Sequence, residues 1–328
     1  MRLLGAFQIA TVVVSVIMLV SCSGADSMLP RSGGRAYEVV VTSASRECAV
    51  LMDSILSQDT PALPQSEPMF DVSRVDSVHF GQTARLARAI VMVTADSTRF
   101  TATRIRYEKN VWAKPQMVVY VNTPDVSVLR RDIPKIARSV ISLLVRAELN
   151  MEIVRLAHSY NKEAAATVKS MFGADMRIPA DMKASKRGHN FVWFSNNTAG
   201  GMRNICVYSY TGGNLMPERA LTVRDSVMKI NIPGERQGMY MQTAEGSVKW
   251  SMTQGGKSRY VMVGRGLWEM HGDAMGGPFV SHLMTDTSGG RVLVAEAFVY
   301  APETRKRNLI RQLEAALFTL KLDNENKK

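Results

Sequence analysis

The 328-residue chain carries 46% hydrophobic residues and a formal net charge of +12. That apolar share excludes a chain with no core, and the length leaves room for two ordinary domains or one elaborate one. Three cysteines in so long a chain exclude a disulfide framework as the main source of stability.

Residues 1–21 read as a signal peptide. Arg2 is the only charge before Asp26, and an apolar run from Leu3 to Val20 follows it. A positive start, an apolar centre and small residues at the end make a secretory leader. A membrane span needs about 20 apolar residues, so length alone leaves that alternative open. The ending favours cleavage. Leu19-Val20-Ser21-Cys22 resembles the bacterial lipobox, in which the chain is cut before a cysteine that then carries lipid. Several acyl chains on Cys22 would hold the protein on the membrane durably, because each buried methylene contributes about 0.8 kcal/mol. Residues 22–35, small, polar and Gly-rich, then form a lipidated flexible tether with a reach of roughly 20 Å. No acidic run follows the cysteine, so the expected address is the cell envelope, lipid-anchored, on the outer membrane facing the periplasm.

Taking Arg2 away with the leader leaves +12 − 1, or +11. In the cytosol such an excess would suggest nucleic acid. In the envelope that partner is excluded, which leaves the membrane itself, anionic envelope polymers and other envelope proteins. The plainer reading is a solvated surface of scattered Lys and Arg. Cys48 and Cys206 could pair in an oxidising compartment, but two separate buried thiols is the reading favoured here.

The first unit spans 36–150. Tyr37–Thr42 reads as a strand and Arg46–Ser57 as a helix with Cys48, Leu51, Met52, Ile55 and Leu56 on one face. Pro61, Pro64 and Pro68 hold an extended loop. Ala89–Thr94 is a buried strand, and Arg104–Lys109 with Gln116–Val121 forms a hairpin. Thr123-Pro124-Asp125 is a helix start with proline at the first helical position. Pro134 restarts that helix, which buries Ile136, Val140, Leu143, Leu144 and Ala147. A helical connector, 151–189, contains a helix from Met151 to Phe172 ended by Gly173. The second unit, 190–322, holds strands Phe191–Asn196 and Asn204–Tyr210, a helix Pro217–Lys229, short strands over 239–300 and a helix Thr304–Leu320. A charged tail, 323–328, closes the chain.

The two units share a pattern. Asp53-Ser54-Ile55-Leu56 with Pro61 recurs as Asp225-Ser226-Val227-Met228 with Pro233, and the late helices repeat at nearly the same offset. The expected fold is therefore α+β: two related α/β units, each strand-helix-strands-helix, joined by a helical connector. Coincidence between two ordinary strand-helix layouts is the alternative.

One stretch could carry chemistry. If Leu267–Asp273 is a strand, Glu269, His271 and Asp273 share a face, and a Gly276-Gly277-Pro278 turn would bring His282 back to them. Two carboxylates and two imidazoles are a plausible metal set. The competing reading is the solvated polar face of a half-buried strand. No G-x-S-x-G, H-E-x-x-H or Walker loop is present, and no catalytic residue is assigned. The motifs lean away from an enzyme and toward a non-catalytic binding or assembly module, with no cofactor beyond lipid on Cys22. The alternative is a metal-assisted hydrolase acting on an envelope substrate.

PQSEPMFDVS (64–73), AKPQMVVYVN (113–122), FVWFSNNTAGGMRNICVYSY (191–210), RGLWEMHGDAMGGPFVSH (265–282) and FVYAPETRKRNLIRQLEAALFTLKL (298–322) carry a resemblance. Together they look like the family of bacterial envelope lipoproteins catalogued as domain of unknown function 4837, over nearly all of the chain after Cys22. The resemblance implies an envelope lipoprotein of Gram-negative bacteria and passes on no activity and no site residue.

Overall fold

The computed structural model describes residues 29–198, 201–212, 214–254, 260–286 and 290–322. The leader, Cys22, the start of the tether and the charged tail lie outside the described residues. Among those described, no helix is long and apolar enough to cross a membrane.

The first half is a five-stranded sheet with helices. β1 (Glu38–Ser43) leads into α1 (Arg46–Leu56), then β2 (Asp71–Asp76), a 3-10 turn at 77–79, a one-turn α2 (Gln82–Arg85), β3 (Ala89–Ala95), β4 (Arg104–Lys109) and β5 (Met117–Thr123). The strand order is β2-β1-β3-β5-β4, parallel except for β4. The crossovers β1-α1-β2 and β2-α2-β3 run in opposite directions across the sheet. Right-handed connections must then put them on opposite faces. So they are: Cys48, Met52 and Leu56 of α1 join the main core, while Phe80 and Ala84 cover Ile90 and Val118 on the other side. Ser45 starts α1 by accepting from the Cys48 N–H at 3.3 Å.

α3 (Val126–His158) runs unbroken for 33 residues through Pro134. The cap is Asp125, whose carboxylate accepts from the Val128 N–H at 2.8 Å, so Pro124 stands outside the helix and not at its first position. Nor does Pro134 restart anything. A proline inside a helix costs about 3 kcal/mol, but Leu129 before it and Ile136, Val140 and Leu144 after it are buried in one core. Packing on both flanks outweighs the missing hydrogen bond. The boundary at 150 therefore falls within a helix. The expected helix Met151–Phe172 is divided, because Ser159 leaves helical geometry and Asn161 caps a new helix, α4 (Lys162–Phe172), by accepting from the Ala164 N–H. Gly173, at φ 62°, ends it as expected.

The second half is antiparallel. After a short β6 (Ala174–Asp175) come β7 (Ala184–Gly188), β8 (Phe191–Ser195), β9 (Met202–Thr211), α5 (Pro217–Asn231), β10 (Tyr240–Thr243), β11 (Lys249–Gln254), β12 (Tyr260–His271), β13 (Gly276–Thr285), β14 (Arg291–Tyr300), α6 (Arg307–Leu317) and β15 (Lys321–Leu322), which pairs with β6. The sheet order is β10-β12-β13-β14-β9-β8-β7, with β11 also on β12. Central strands covered on both faces read as apolar runs, and β13 and β14 are buried almost throughout. One face packs on α4 and α6 through Val168, Phe172, Leu313 and Leu317. The other lies under α5 through Ala220 and Met228. Within that second core Arg224 grips Glu296 with Nε and Nη2, and Ser281 donates to the same carboxylate.

The fold is thus α+β. The sheets of the two halves differ: β1 and β2 are parallel neighbours, whereas β9 and β10 stand apart with β14, β13 and β12 between them. The sequence likeness has a local counterpart only. Asp53 on α1 pairs with Arg74 of β2 at 3.3 Å, and Asp225 on α5 accepts from the Thr243 N–H of β10 at 2.9 Å, each tying a helix to the strand that follows it. Cys48 and Cys206 are free, and they are buried in different cores.

Candidate binding cleft between the two halves

Helix α6 joins the halves. Its amphipathic pattern buries Leu313, Ala316 and Leu317 against the large sheet. The remaining face carries Arg307, Arg311 and Glu314, spaced like one stripe of a helix, and all three are buried as well. That face meets the first half. α6 has no side-chain cap of its own. Glu67, in the proline-rich loop of the first half, supplies one: its carboxylate accepts from the backbone N–H groups of Lys306 at 2.6 Å and Arg307 at 2.9 Å. An anion at a helix N-terminus satisfies orphan donors and the dipole together. Arg307 reaches back to the Asp71 carboxylate at 2.6 Å, and Arg311 donates Nη1 to the Met69 carbonyl at 2.9 Å. The Arg311 guanidinium also lies 4.5 Å from the centroid of the Tyr37 ring.

One turn further along, Glu314 pairs with Arg265 of β12. His282 of β13 brings Nε2 within 3.5 Å of the same carboxylate oxygen and packs its ring edge-on against Phe318 at 4.5 Å. Burial works against ionising Glu314, but His282 and Arg265 outweigh it and hold its pKa down to about 2. At 3.5 Å the imidazole nitrogen is too far for a good hydrogen bond and has no other partner. Burial lowers the His282 pKa below its usual value against the pull of Glu314. Burial likewise lowers that of Arg311, with Tyr37 and Glu314 opposing.

Beside this cluster the halves enclose a cavity of about 370 Å³. Its first-half wall is Thr60 to Leu63 with Met69 and Val145, and its second-half wall comes from β11, β12, β13 and α6. On the α5 face of the sheet the Trp250 ring packs over Gly264 of β12, where a Cβ would stand 2.6 Å from a ring carbon, so a larger residue there would have to displace the ring. Lys249, Arg265, Arg311 and Glu314 supply its charge, three cations to one carboxylate. A wider hollow of about 820 Å³ lies on the first sheet. The charged groups there already have partners: Arg35 with Glu38, Arg88 with Glu148, Asp71 with Arg307. The joint is the better candidate site.

The metal set expected from the sequence is not assembled. Glu269 and His271 do share an exposed face at the end of β12, with Trp268 and Met270 buried on the other. There Glu269 accepts from Gln242 at 2.8 Å, His271 stacks on Tyr240 at 4.8 Å, and Asp273 accepts from the Ala274 N–H in the turn that follows. That turn occupies 272–275, and Gly276, Gly277 and Pro278 are already strand. In register Glu269 faces Gly276 while His282 faces Val263, six residues along the strand, or roughly 20 Å at 3.3 Å per residue. His282 shares their face but sits deep under α6. Among the described residues no group of three His, Cys, Asp or Glu side chains is placed to hold a metal. The residues of the joint, Glu67, Arg265, Arg311 and Glu314, were not singled out from the sequence. The available signal was the polar stripe 307, 311, 314 on an otherwise apolar helix, which reads by default as a solvated face.

The chain is thus an α+β protein of two dissimilar halves clasped by one helix. Residues 161–319 match the model of a family described as Domain of unknown function (DUF4837), and residues 32–157 match that of another, Domain of unknown function (DUF8532). The resemblance read over nearly the whole chain is therefore supported for the second half, while segments 64–73 and 113–122 fall to the other family. The division between the two matches lies where α3 gives way to α4. No curated protein matches. Among solved structures, a crystal structure from Bacteroides thetaiotaomicron VPI-5482 is 15% identical, covers 48% of each chain and has a TM-score of 0.28. An uncharacterised protein from Rhizobium leguminosarum is 8% identical, covers 36% of this chain and 95% of its own, and has a TM-score of 0.16. The chain spans about half the length of the first of these.

Proposed function

We propose that the chain is a lipid-anchored protein of the cell envelope, held at Cys22 and facing the periplasm, that works as a non-catalytic binding or assembly module through the joint between its halves. The leader and the Leu19-Val20-Ser21-Cys22 ending support the address. One observation carries the binding role: the two halves meet around a cavity whose walls are apolar and whose charge is mainly cationic. Clefts at domain interfaces with a few convergent polar groups are the usual seats of ligands.

Two experiments on the full chain in cells test the reading. Feeding an alkyne analogue of palmitate labels the wild type and not Cys22→Ala; an unlabelled wild type overturns the anchor. A photo-crosslinking residue at Leu63, in the cavity wall, yields an adduct that the same residue at exposed Val50 does not. Silence at Leu63, or equal yield at both positions, overturns the assignment of the joint.

A further inference from the structure

Among the described residues three arginines are buried, Arg224, Arg307 and Arg311. A buried charge is costly unless it is paired, and two of the three obey. Arg224 grips Glu296, and Arg307 holds Asp71 at 2.6 Å. Arg311, 8% exposed, has no carboxylate within ion-pairing distance among the described residues. Its partners are the neutral Met69 carbonyl and the faces of Tyr37 and Phe70, at 4.5 and 5.9 Å. Glu314, one turn away, is committed to Arg265. This guanidinium, the one of the three without an ion-pair partner, lines the cavity at the joint.

The rest of the cavity says what sort of anion fits. Leu63, Met69, Val145, Val280 and Ile310 form an apolar wall, and Lys249 adds a second cation at the exposed rim. A free inorganic anion would leave that wall wet, and a neutral apolar molecule would leave Arg311 unpaired. At about 370 Å³ the space is at the small end of ligand cavities.

We propose that the cleft takes a small amphiphile with one anionic head (a carboxylate, sulfonate or phosphate ester) on an apolar body, and that Arg311 is the residue that binds the head. The guanidinium offers a planar fork of donors that matches such a head bidentately, with Nη1 already fixed by Met69 so that the fork is oriented in advance. This inference rests on the joint being the binding site, and it names the ligand class.

The test uses the full chain in nanodiscs of zwitterionic phosphatidylcholine, with empty discs as the blank, and isothermal titration calorimetry. Three probes separate charge from apolar body: naphthalene-2-sulfonate, the uncharged naphthalene-2-sulfonamide, and sodium sulfate. The sulfonate is expected to bind one per chain, about tenfold or more tighter than the sulfonamide. Arg311→Gln is expected to lose roughly that factor for the sulfonate and to leave the sulfonamide unchanged. Arg311→Lys keeps the charge but not the fork; it guards against a folding defect in the first variant and is expected to weaken the sulfonate by several-fold. Equal affinity for sulfonate and sulfonamide overturns the proposal. So does sulfate binding as tightly as the sulfonate, or unchanged sulfonate affinity in both variants. A crosslink at Leu63 with no such selectivity overturns this inference and leaves the binding role standing. Charge-selective binding with a silent crosslink overturns the role in cells and leaves the ligand chemistry standing.

Discussion

Glu67→Ala removes the cap that one half provides for the other's helix. In the native protein the Glu67 carboxylate, 4% exposed, accepts from two buried backbone N–H groups across 239 and 240 residues of chain. The alanine variant loses the carboxylate's interaction with the helix dipole, about 1 kcal/mol, and leaves two donors to find water in a tight joint, about 1 kcal/mol or more each. The sum is about 3 kcal/mol. Glu67→Gln keeps one neutral acceptor and should cost about 1 kcal/mol. Urea titration followed by tryptophan fluorescence and far-ultraviolet circular dichroism measures both. With a denaturant slope near 3 kcal/mol per molar, the alanine midpoint should fall by about 1 M with the slope unchanged. A fall below about 0.2 M would refute the claim that Glu67 holds α6 in place. Divergence of the two probes in the variant alone would show the halves unfolding separately once the clasp is cut.

Four further outcomes follow from the same geometry. Glu314 has its pKa held down to about 2, so it stabilises the fold above its usual carboxylate value; that contribution should fade as pH falls from about 4.5 toward 2, and Glu314→Gln should flatten the acid limb of a stability-against-pH curve. His282 has its pKa lowered by burial, so just below its usual 6.5 the unfolded chain binds a proton that the folded chain does not, and stability should drop as pH falls through that window; the slope should vanish in His282→Asn. Arg224→Met strands the Glu296 carboxylate in the second core and should cost about 3–5 kcal/mol by thermal denaturation, with much of that restored by adding Glu296→Gln. Cys48 and Cys206 are fully buried, and burial raises the pKa of each thiol; neither should react with a thiol reagent in the native protein, and both should in urea.

Much of the first half was legible in the sequence because its cues are local. The α1 pattern at 48, 52, 55 and 56, the apolar run of β3 and the β4–β5 hairpin all stand where the sequence places them. β2 escaped notice because Asp71–Asp76 is an edge strand whose DVSRVD alternates weakly and buries no residue fully. Pro134 and Pro124 misled for other reasons: at Pro134 the intrinsic proline rule was overruled by tertiary packing of α3, and at Pro124 the following Asp125 took the capping position. In the second half the strands were visible but their length and register were not. Register depends on where the hairpin turns. The turn at 272–275, and not at Gly276-Gly277-Pro278, carries His282 six residues past Glu269. The joint was the least legible of all, since Glu67 and Arg307 meet only in three dimensions. Polar residues on a helix look alike in sequence whether they face water or another half of the chain.

Hydrogen–deuterium exchange of the full chain in nanodiscs, with and without naphthalene-2-sulfonate, tests the assignment of the joint most directly. The account predicts added protection in the four segments that wall the cavity: 60–69, 249–251, 278–280 and 310–314. Protection centred on 33–40 and 79–88, around the wider hollow of the first sheet, would contradict it, as would protection nowhere.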